Sequence, residues 1–204
     1  MSDSLIYHPG DNDVVILRKI LGRLGAGLTL TGQSAGILTV GGNLAVVSAE
    51  VTRATGDTTQ YAINDVVNNS TDAGSATVFT FVNAGRVNGG TGYITNVRLV
   101  KSTVTTTNAV FRVWLYGTAP TPLADNTPFT LLYANKAIRL GYVDFSFTTE
   151  GSGSDSASAA AYNVNLKFAC AANSRDLYGV IEAKAAYTPA SQEKFWVELT
   201  VDQN

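Results

Sequence analysis

Histidine, cysteine and methionine each occur once in this chain of 204 residues, as His8, Cys170 and Met1. Catalysis near neutral pH leans on groups that titrate there, and a single imidazole leaves almost none. One cysteine excludes an intrachain disulfide and a cysteine-based zinc site. Cys170 sits in the apolar run Leu166-Lys167-Phe168-Ala169-Cys170-Ala171-Ala172, where the expected role is that of a small buried hydrophobe. Charge is also scarce: 15% of residues carry one, and the net charge is -2. Phosphate binding needs clustered Lys and Arg, so no nucleic-acid partner is expected. No stretch reaches the roughly 18 to 20 apolar residues of a membrane span, so no membrane is expected either. Met1-Ser2-Asp3-Ser4 lacks the basic region and apolar segment of a secretory signal, and the expectation is synthesis in the cytoplasm without export by that route.

What is present is apolar residues at 45%, close to the globular average and too many for wholesale disorder. With so few charges, the surface must consist largely of Thr, Ser, Asn and Gly. Such a surface forms hydrogen bonds but carries little charge, and it suits burial against other subunits or life outside the cell.

The N-terminal third reads as an arm, residues 1–52. A short helix is expected over 13–24, capped by Asn12 or Asp13 and ended by Gly25. Val14, Leu17, Leu21 and Leu24 fall at spacings of three, four and three, so they share one face. A helix of about 12 residues is marginal alone in water, so that face must be buried on its own domain, on another copy or on a partner. Short strand-prone pieces follow at 28–31, 37–40 and 44–51, separated by Gly-rich turns. They contain few large side chains, so they are expected to pair with other strands, including those of neighbouring subunits.

Residues 53–204 read as one β domain. An edge piece is expected at 59–67, then eight strands near 77–82, 93–101, 109–116, 129–133, 140–148, 160–169, 177–185 and 194–202. The period of two is clearest in the last, where Phe195, Val197, Leu199 and Val201 oppose Trp196, Glu198 and Thr200. It recurs where Phe111, Val113 and Leu115 alternate with Arg112, Trp114 and Tyr116. Turn chemistry separates the strands, as in Asn88-Gly89-Gly90-Thr91-Gly92 and Gly151-Ser152-Gly153-Ser154-Asp155. Strands at this spacing without helical pattern indicate a sandwich or barrel, and eight favour a jelly roll. The fold class is therefore all-β: a jelly-roll-like antiparallel β-sandwich with an N-terminal arm containing one short helix.

Gly32-Gln33-Ser34-Ala35-Gly36 matches the G-x-S-x-G elbow of hydrolases. That elbow needs a helix after the Ser and a His to take its proton. Here a strand-prone piece follows, and His8 lies upstream, so a Gly-flanked turn is the expected role. Asp11-Asn12-Asp13 lacks the later Gly and bidentate Glu of a calcium loop and reads as a helix cap. Gly22-Arg23-Leu24-Gly25-Ala26-Gly27 follows no strand and so is no phosphate cradle. Asp144, Glu150, Asp176, Glu182 and Glu198 are available as carboxylates, with nothing to single out a pair. No catalytic residue, metal site or cofactor is expected. Trp114, Tyr116 and Trp196 are either an outward aromatic patch, fit to stack on a sugar or dock a subunit, or part of the core.

The run Phe79-Thr80-Phe81-Val82-Asn83-Ala84-Gly85-Arg86-Val87-Asn88-Gly89-Gly90-Thr91-Gly92-Tyr93-Ile94 leads into Val97-Arg98-Leu99-Val100-Lys101. Further on come Phe111-Arg112-Val113-Trp114-Leu115-Tyr116, Leu132-Tyr133-Ala134-Asn135 and Leu140-Gly141-Tyr142-Val143-Asp144-Phe145. Over roughly residues 53–200 this pattern resembles structural proteins of tailed bacteriophages, in particular small jelly-roll proteins that decorate or cement the capsid. The resemblance implies a place on the outer surface of the virion head, the major capsid protein as partner, and a homo-oligomer, trimer before dimer. The contact residues expected are Val14, Leu17, Leu21 and Leu24, on the helix face that must be buried, and Trp114, Tyr116 and Trp196, as an outward aromatic patch. The other reading is a tail or head fibre module that binds a host-surface carbohydrate.

Overall fold

Two faces with different chemistry run along most of the strands, and they sort the chain into two sheets. A computed structural model describes residues 43–148 and 153–204. Its strands are β1 (Leu44–Thr52), β2 (Val66–Val67), β3 (Phe79–Phe81), β4 (Thr91–Lys101), β5 (Val110–Tyr116), β6 (Arg139–Ser146), β7 (Ala157–Ala161), β8 (Leu166–Ala169), β9 (Leu177–Ala183) and β10 (Lys194–Gln203). The first sheet has the order β1-β10-β4-β7, with β8 also on β4; the second has the order β2-β9-β5-β6, with β3 also on β9. Every pairing is antiparallel. Because β7 and β8 share one flank of β4, and β2 and β3 one flank of β9, each sheet has four strand positions. The chain changes sheet at each step except from β2 to β3, β5 to β6 and β7 to β8. This is an all-β, jelly-roll-like sandwich.

The inner faces are those that alternation predicts. Phe195, Val197, Leu199 and Val201 of β10 are fully buried, as are Phe111, Val113 and Leu115 of β5. At the centre the Phe111 ring meets Phe147, Tyr187 and Phe195 edge to face, with centroids 5.9, 5.2 and 5.3 Å away. The irregular alternation of β4 has a local cause. Its register against β10 shifts between Thr200 and Val201, so that Thr200 faces Asn96 and Val201 faces Ile94. The bulge brings both Ile94 and Val97 inward, although their numbers differ in parity.

Three expected elements differ. Residues 129–133 form no strand. Pro128 makes an isolated bridge to Asp65, Phe129 packs on the outside of β5, and a 3-10 turn follows at Tyr133–Ala137. The single strand expected at 160–169 is two, β7 and β8. Asn163 and Asn165 between them take left-handed backbone angles, φ 57° and 51°, which asparagine tolerates better than other non-glycine residues. Of the edge piece at 59–67, only Val66–Val67 is strand. Residues 44–52, which the sequence groups with the arm, form β1 and pair with β10 along their whole length.

Gly117, just after β5, marks a place where backbones nearly touch. A Cβ there would land on the carbonyl oxygen of Ala169. Its N–H donates to Ile138 O at 2.8 Å and its carbonyl accepts from Ala171 N–H at 3.0 Å, so it cannot move aside freely. Gly117→Ala is expected to cost about 1–3 kcal/mol of stability, read as a lowered melting temperature. Gly74→Ala is the control, since its Cβ would meet only the Asp72 carboxylate at 3.5 Å. Equal melting of the two variants would contradict the close approach.

Candidate interaction surfaces

The outer face of the first sheet is built from cross-strand rows. Glu50, Trp196 and Val100 lie side by side, and Ser48, Glu198 and Arg98 form the next row. The Arg98 guanidinium lies 5.0 Å from the centroid of the half-buried Trp196 ring and pairs with Glu198 at 3.3 Å; Lys194 pairs with Glu50 at 3.0 Å. These groups are solvated, so the pairs add little to stability. At the margin stands β1. Among the described residues it pairs on one side only, with β10. Leu44 and Val46 on this strand are 65% and 63% exposed. A nine-residue edge without proline presents a row of backbone donors and acceptors that another strand can complete.

The second sheet's outer face is different. Trp114 and Tyr116 point away from the main core, as alternation requires, yet they are only 7% and 3% exposed. The chain between β5 and β6 folds over them. Phe129 stacks on Trp114 at 5.3 Å with an interplanar angle of 11°, and Tyr142 leans on it at 4.9 Å. Trp114 and Tyr116 make a second, smaller hydrophobic cluster with Val66 and Val180, and Phe129 packs against it. The expectation that Trp114 and Tyr116 contact a partner therefore gives way to burial under the chain's own loop. Tyr142 and Tyr133 are what reach solvent, at 48% and 79% exposure. The Arg112 guanidinium lies 3.7 Å from the Tyr142 ring centroid and donates to both oxygens of Asp144, at 2.7 and 2.8 Å. The hydrogen bonds from Arg112 hold the Asp144 carboxyl below its ordinary range.

Two buried polar networks escape sequence reasoning. In the first, Asp125 accepts from Arg53 Nη2 at 2.8 Å, Tyr61 Oη at 2.8 Å and the Asn68 N–H at 2.7 Å. Burial pushes the Asp125 carboxyl upward against these three donors, and pushes the Tyr61 hydroxyl far above its usual range. In the second, Glu193 accepts from Tyr187 Oη at 2.7 Å and Thr103 Oγ1 at 2.6 Å, with Lys101 Nζ 3.6 Å away. Burial lowers the Lys101 amine. Each network ties strand ends to loops, and in the first the buried Arg53 Nε is left without a hydrogen-bond partner. Lys101 had a signal, since it follows Val97 and Leu99 at the same parity. Arg53 and Asp125 lie in loops and had none.

The remaining candidates are dispersed. Asp176 accepts from the Asn83 N–H at 2.9 Å, Glu198 pairs with Arg98, and Glu182 accepts from Trp114 Nε1 at 2.7 Å. Among the described residues, no three His, Cys, Asp or Glu side chains are placed to hold a metal ion. Val14, Leu17, Leu21 and Leu24, the helix expected at 13–24, and the Ser34 and His8 of the hydrolase-like string lie outside the described residues, as does Glu150.

No family model matches the chain, and no curated protein does. Among solved structures, it is similar to a chain of the capsid asymmetric unit of cyanophage Pam1, with 14% identity, a TM-score of 0.32, and coverage of 86% of this chain and 96% of that one. It is also similar to a chain of Desmodium yellow mottle tymovirus, with 12% identity, a TM-score of 0.27, and coverage of 87% and 94%. Likeness at this level carries no argument about function.

Proposed function

We propose that this chain is a viral structural protein, a cement or decoration protein on the outside of a tailed-phage head that strengthens contacts between major capsid subunits. One observation carries the reading: β1 offers a nine-residue edge, paired on one side only among the described residues, entered directly from residues 1–42. An open edge beside a sheet face that carries Trp196 among solvated ion pairs is suited to repeated weak contacts, whose sum is large when many copies act together. The resemblance of residues 53–200 to phage decoration proteins supports the same reading. In it the chain assembles as a homo-oligomer, trimer before dimer. The arm attaches the sandwich to the shell through Val14, Leu17, Leu21 and Leu24, and Trp196 lies in the contact face.

Purified protein added to shells that lack it is expected to bind and raise their melting temperature; shells that melt alike with and without it refute the cementing role. A charge on the edge tests the carrier observation. Val46→Lys blunts an exposed strand as natural edges are blunted. It is expected to weaken shell binding about tenfold or more, ~1.4 kcal/mol, while the sandwich melts as before. Unchanged binding removes β1 from the interface.

A second reading, a fibre module binding a host-surface carbohydrate, draws on Tyr142. Its ring is exposed, braced by Arg112 and next to the half-exposed carboxylate of Asp144, an arrangement able to stack on a sugar and accept its hydroxyls. Glycan-array signal lost on Tyr142→Ala supports it, and an array without signal rejects it.

A further inference from the structure

Just before β2, an amine, a carboxamide and a carboxylate meet. Lys184 Nζ donates to Asn64 Oδ1 at 2.6 Å and to Glu182 Oε1 at 3.0 Å. Glu182 and Lys184 are two residues apart at the end of β9, so they share a face. Asn64 is pinned against them by its backbone. Its N–H donates to Ala183 O at 2.7 Å, its carbonyl accepts from Phe129 N–H at 2.7 Å, and its φ is 74°. The carboxylate is fixed in turn, because its second oxygen accepts from Trp114 Nε1 at 2.7 Å. The side chain of Glu182 is 5% exposed and that of Lys184 26%, with Val66 and Trp114 buried nearby.

An ordinary surface lysine samples many partners. This one is held on a carboxamide group by the 2.6 Å hydrogen bond to its oxygen, with a buried carboxylate at hydrogen-bond distance. Orientation of this kind removes much of the entropic barrier to acyl transfer, and a carboxylate in reach moves the protons. We propose that Lys184 and Asn64 join spontaneously in an intramolecular amide crosslink, with Glu182 as the proton carrier. Glu182 takes a proton from the Lys184 ammonium, and the freed lone pair attacks Asn64 Cγ while the carbonyl electrons move to Oδ1. Glu182 then relays protons from the attacking to the departing nitrogen. The C–O double bond re-forms, the Cγ–Nδ2 bond breaks, and ammonia leaves to solvent and takes up the remaining proton as ammonium. One amide replaces another, nothing is oxidised or reduced, and Glu182 is regenerated. The new bond spans 120 residues of chain and fastens the entry to β2 onto β9. Such a link restricts the unfolded ensemble as a long-range disulfide does.

Intact-mass measurement of the full chain after prolonged incubation decides the matter. The unsubstituted protein is expected to be lighter than its sequence by one ammonia, and its digest to contain a branched peptide joining Asn64 to Lys184. Lys184→Arg, Asn64→Ala and Glu182→Gln are expected to keep the full mass, and Lys184→Arg to melt at a lower temperature than the crosslinked protein. Full mass in the unsubstituted chain overturns the proposal, whether or not the variants fold. So does an ammonia loss that fragmentation assigns to a cyclic imide within one peptide. A crosslink that persists in Glu182→Gln overturns the assignment of the proton carrier.

Discussion

Arg53→Met, with Asp125 retained, is expected to lower the unfolding free energy by about 3–5 kcal/mol. The Arg53 side chain is fully buried and that of Asp125 is 2% exposed, with 2.8 Å between Nη2 and Oδ2. Removing the cation leaves a buried carboxylate with only Tyr61 and the Asn68 N–H to answer it. Desolvation, which already pushes Asp125 upward, is then no longer offset by an opposite charge. Arg53 also donates to Asp57 O at 2.6 Å and lies 5.0 Å from the Tyr61 ring centroid, so loops at 53–65 and near 125 loosen together. The double variant Arg53→Met, Asp125→Leu removes both charges, and is expected to recover a large part of the loss, because the penalty lies in the unpaired charge rather than in a missing attraction. Denaturant titration of the three proteins checks this. A single-variant loss under about 1 kcal/mol, the scale of a solvated surface pair, contradicts the burial of the network.

Phe111→Ala is expected to cost about 3–5 kcal/mol, through lost apolar contact and the cavity left behind. The ring is fully buried at the meeting of the two sheets. It is the common partner of Phe147, Tyr187 and Phe195, all met edge to face at interplanar angles of 72° to 82°. Phe195 belongs to the first sheet and Phe111 to the second, so the contact is part of what holds the layers together. Phe111→Leu keeps much of the volume and is expected to cost less than half as much. The same titration reads both. Equal losses from Leu and Ala would mean that the site closes over the gap.

The fold was legible where one physical rule dominated. Period two in 195–201 and 111–115 assigned the inner faces correctly, because a slip of one residue would bury Glu198 or Arg112 and expose phenylalanine. The rule failed where the outer face was also covered. Trp114 and Tyr116 were rightly placed opposite Phe111 and Leu115, but strand parity says nothing about a loop folding back, so their burial under Phe129 and Ile138 was not visible. That same loop supplied the false strand at 129–133: Phe129 covers β5 while Leu131, Leu132 and Tyr133 are exposed, and apolar content alone does not separate such a loop from a strand. The break between β7 and β8 rests on the left-handed tolerance of Asn163 and Asn165, a cue present in the sequence but weaker than the surrounding alanines and valine.

The candidate surfaces divide in the same way. Trp196 is where parity put it, half-buried on an outer face under Arg98. The open edge at β1 was half legible: residues 44–51 read as a strand seeking a partner, but the partner on one side is the chain's own β10, a pairing between residues about 150 positions apart that sequence periodicity does not encode. Tyr142 and Arg112 become neighbours only through the β5–β6 register.

Electron microscopy of a phage particle assembled with this chain separates a shell component from a free protein. Density for the 43–204 sandwich is expected on the outside of the head, bridging major capsid subunits, with the β1 edge turned toward a neighbour. A chain absent from the particle, and found instead as a free monomer that turns over a substrate, would contradict it.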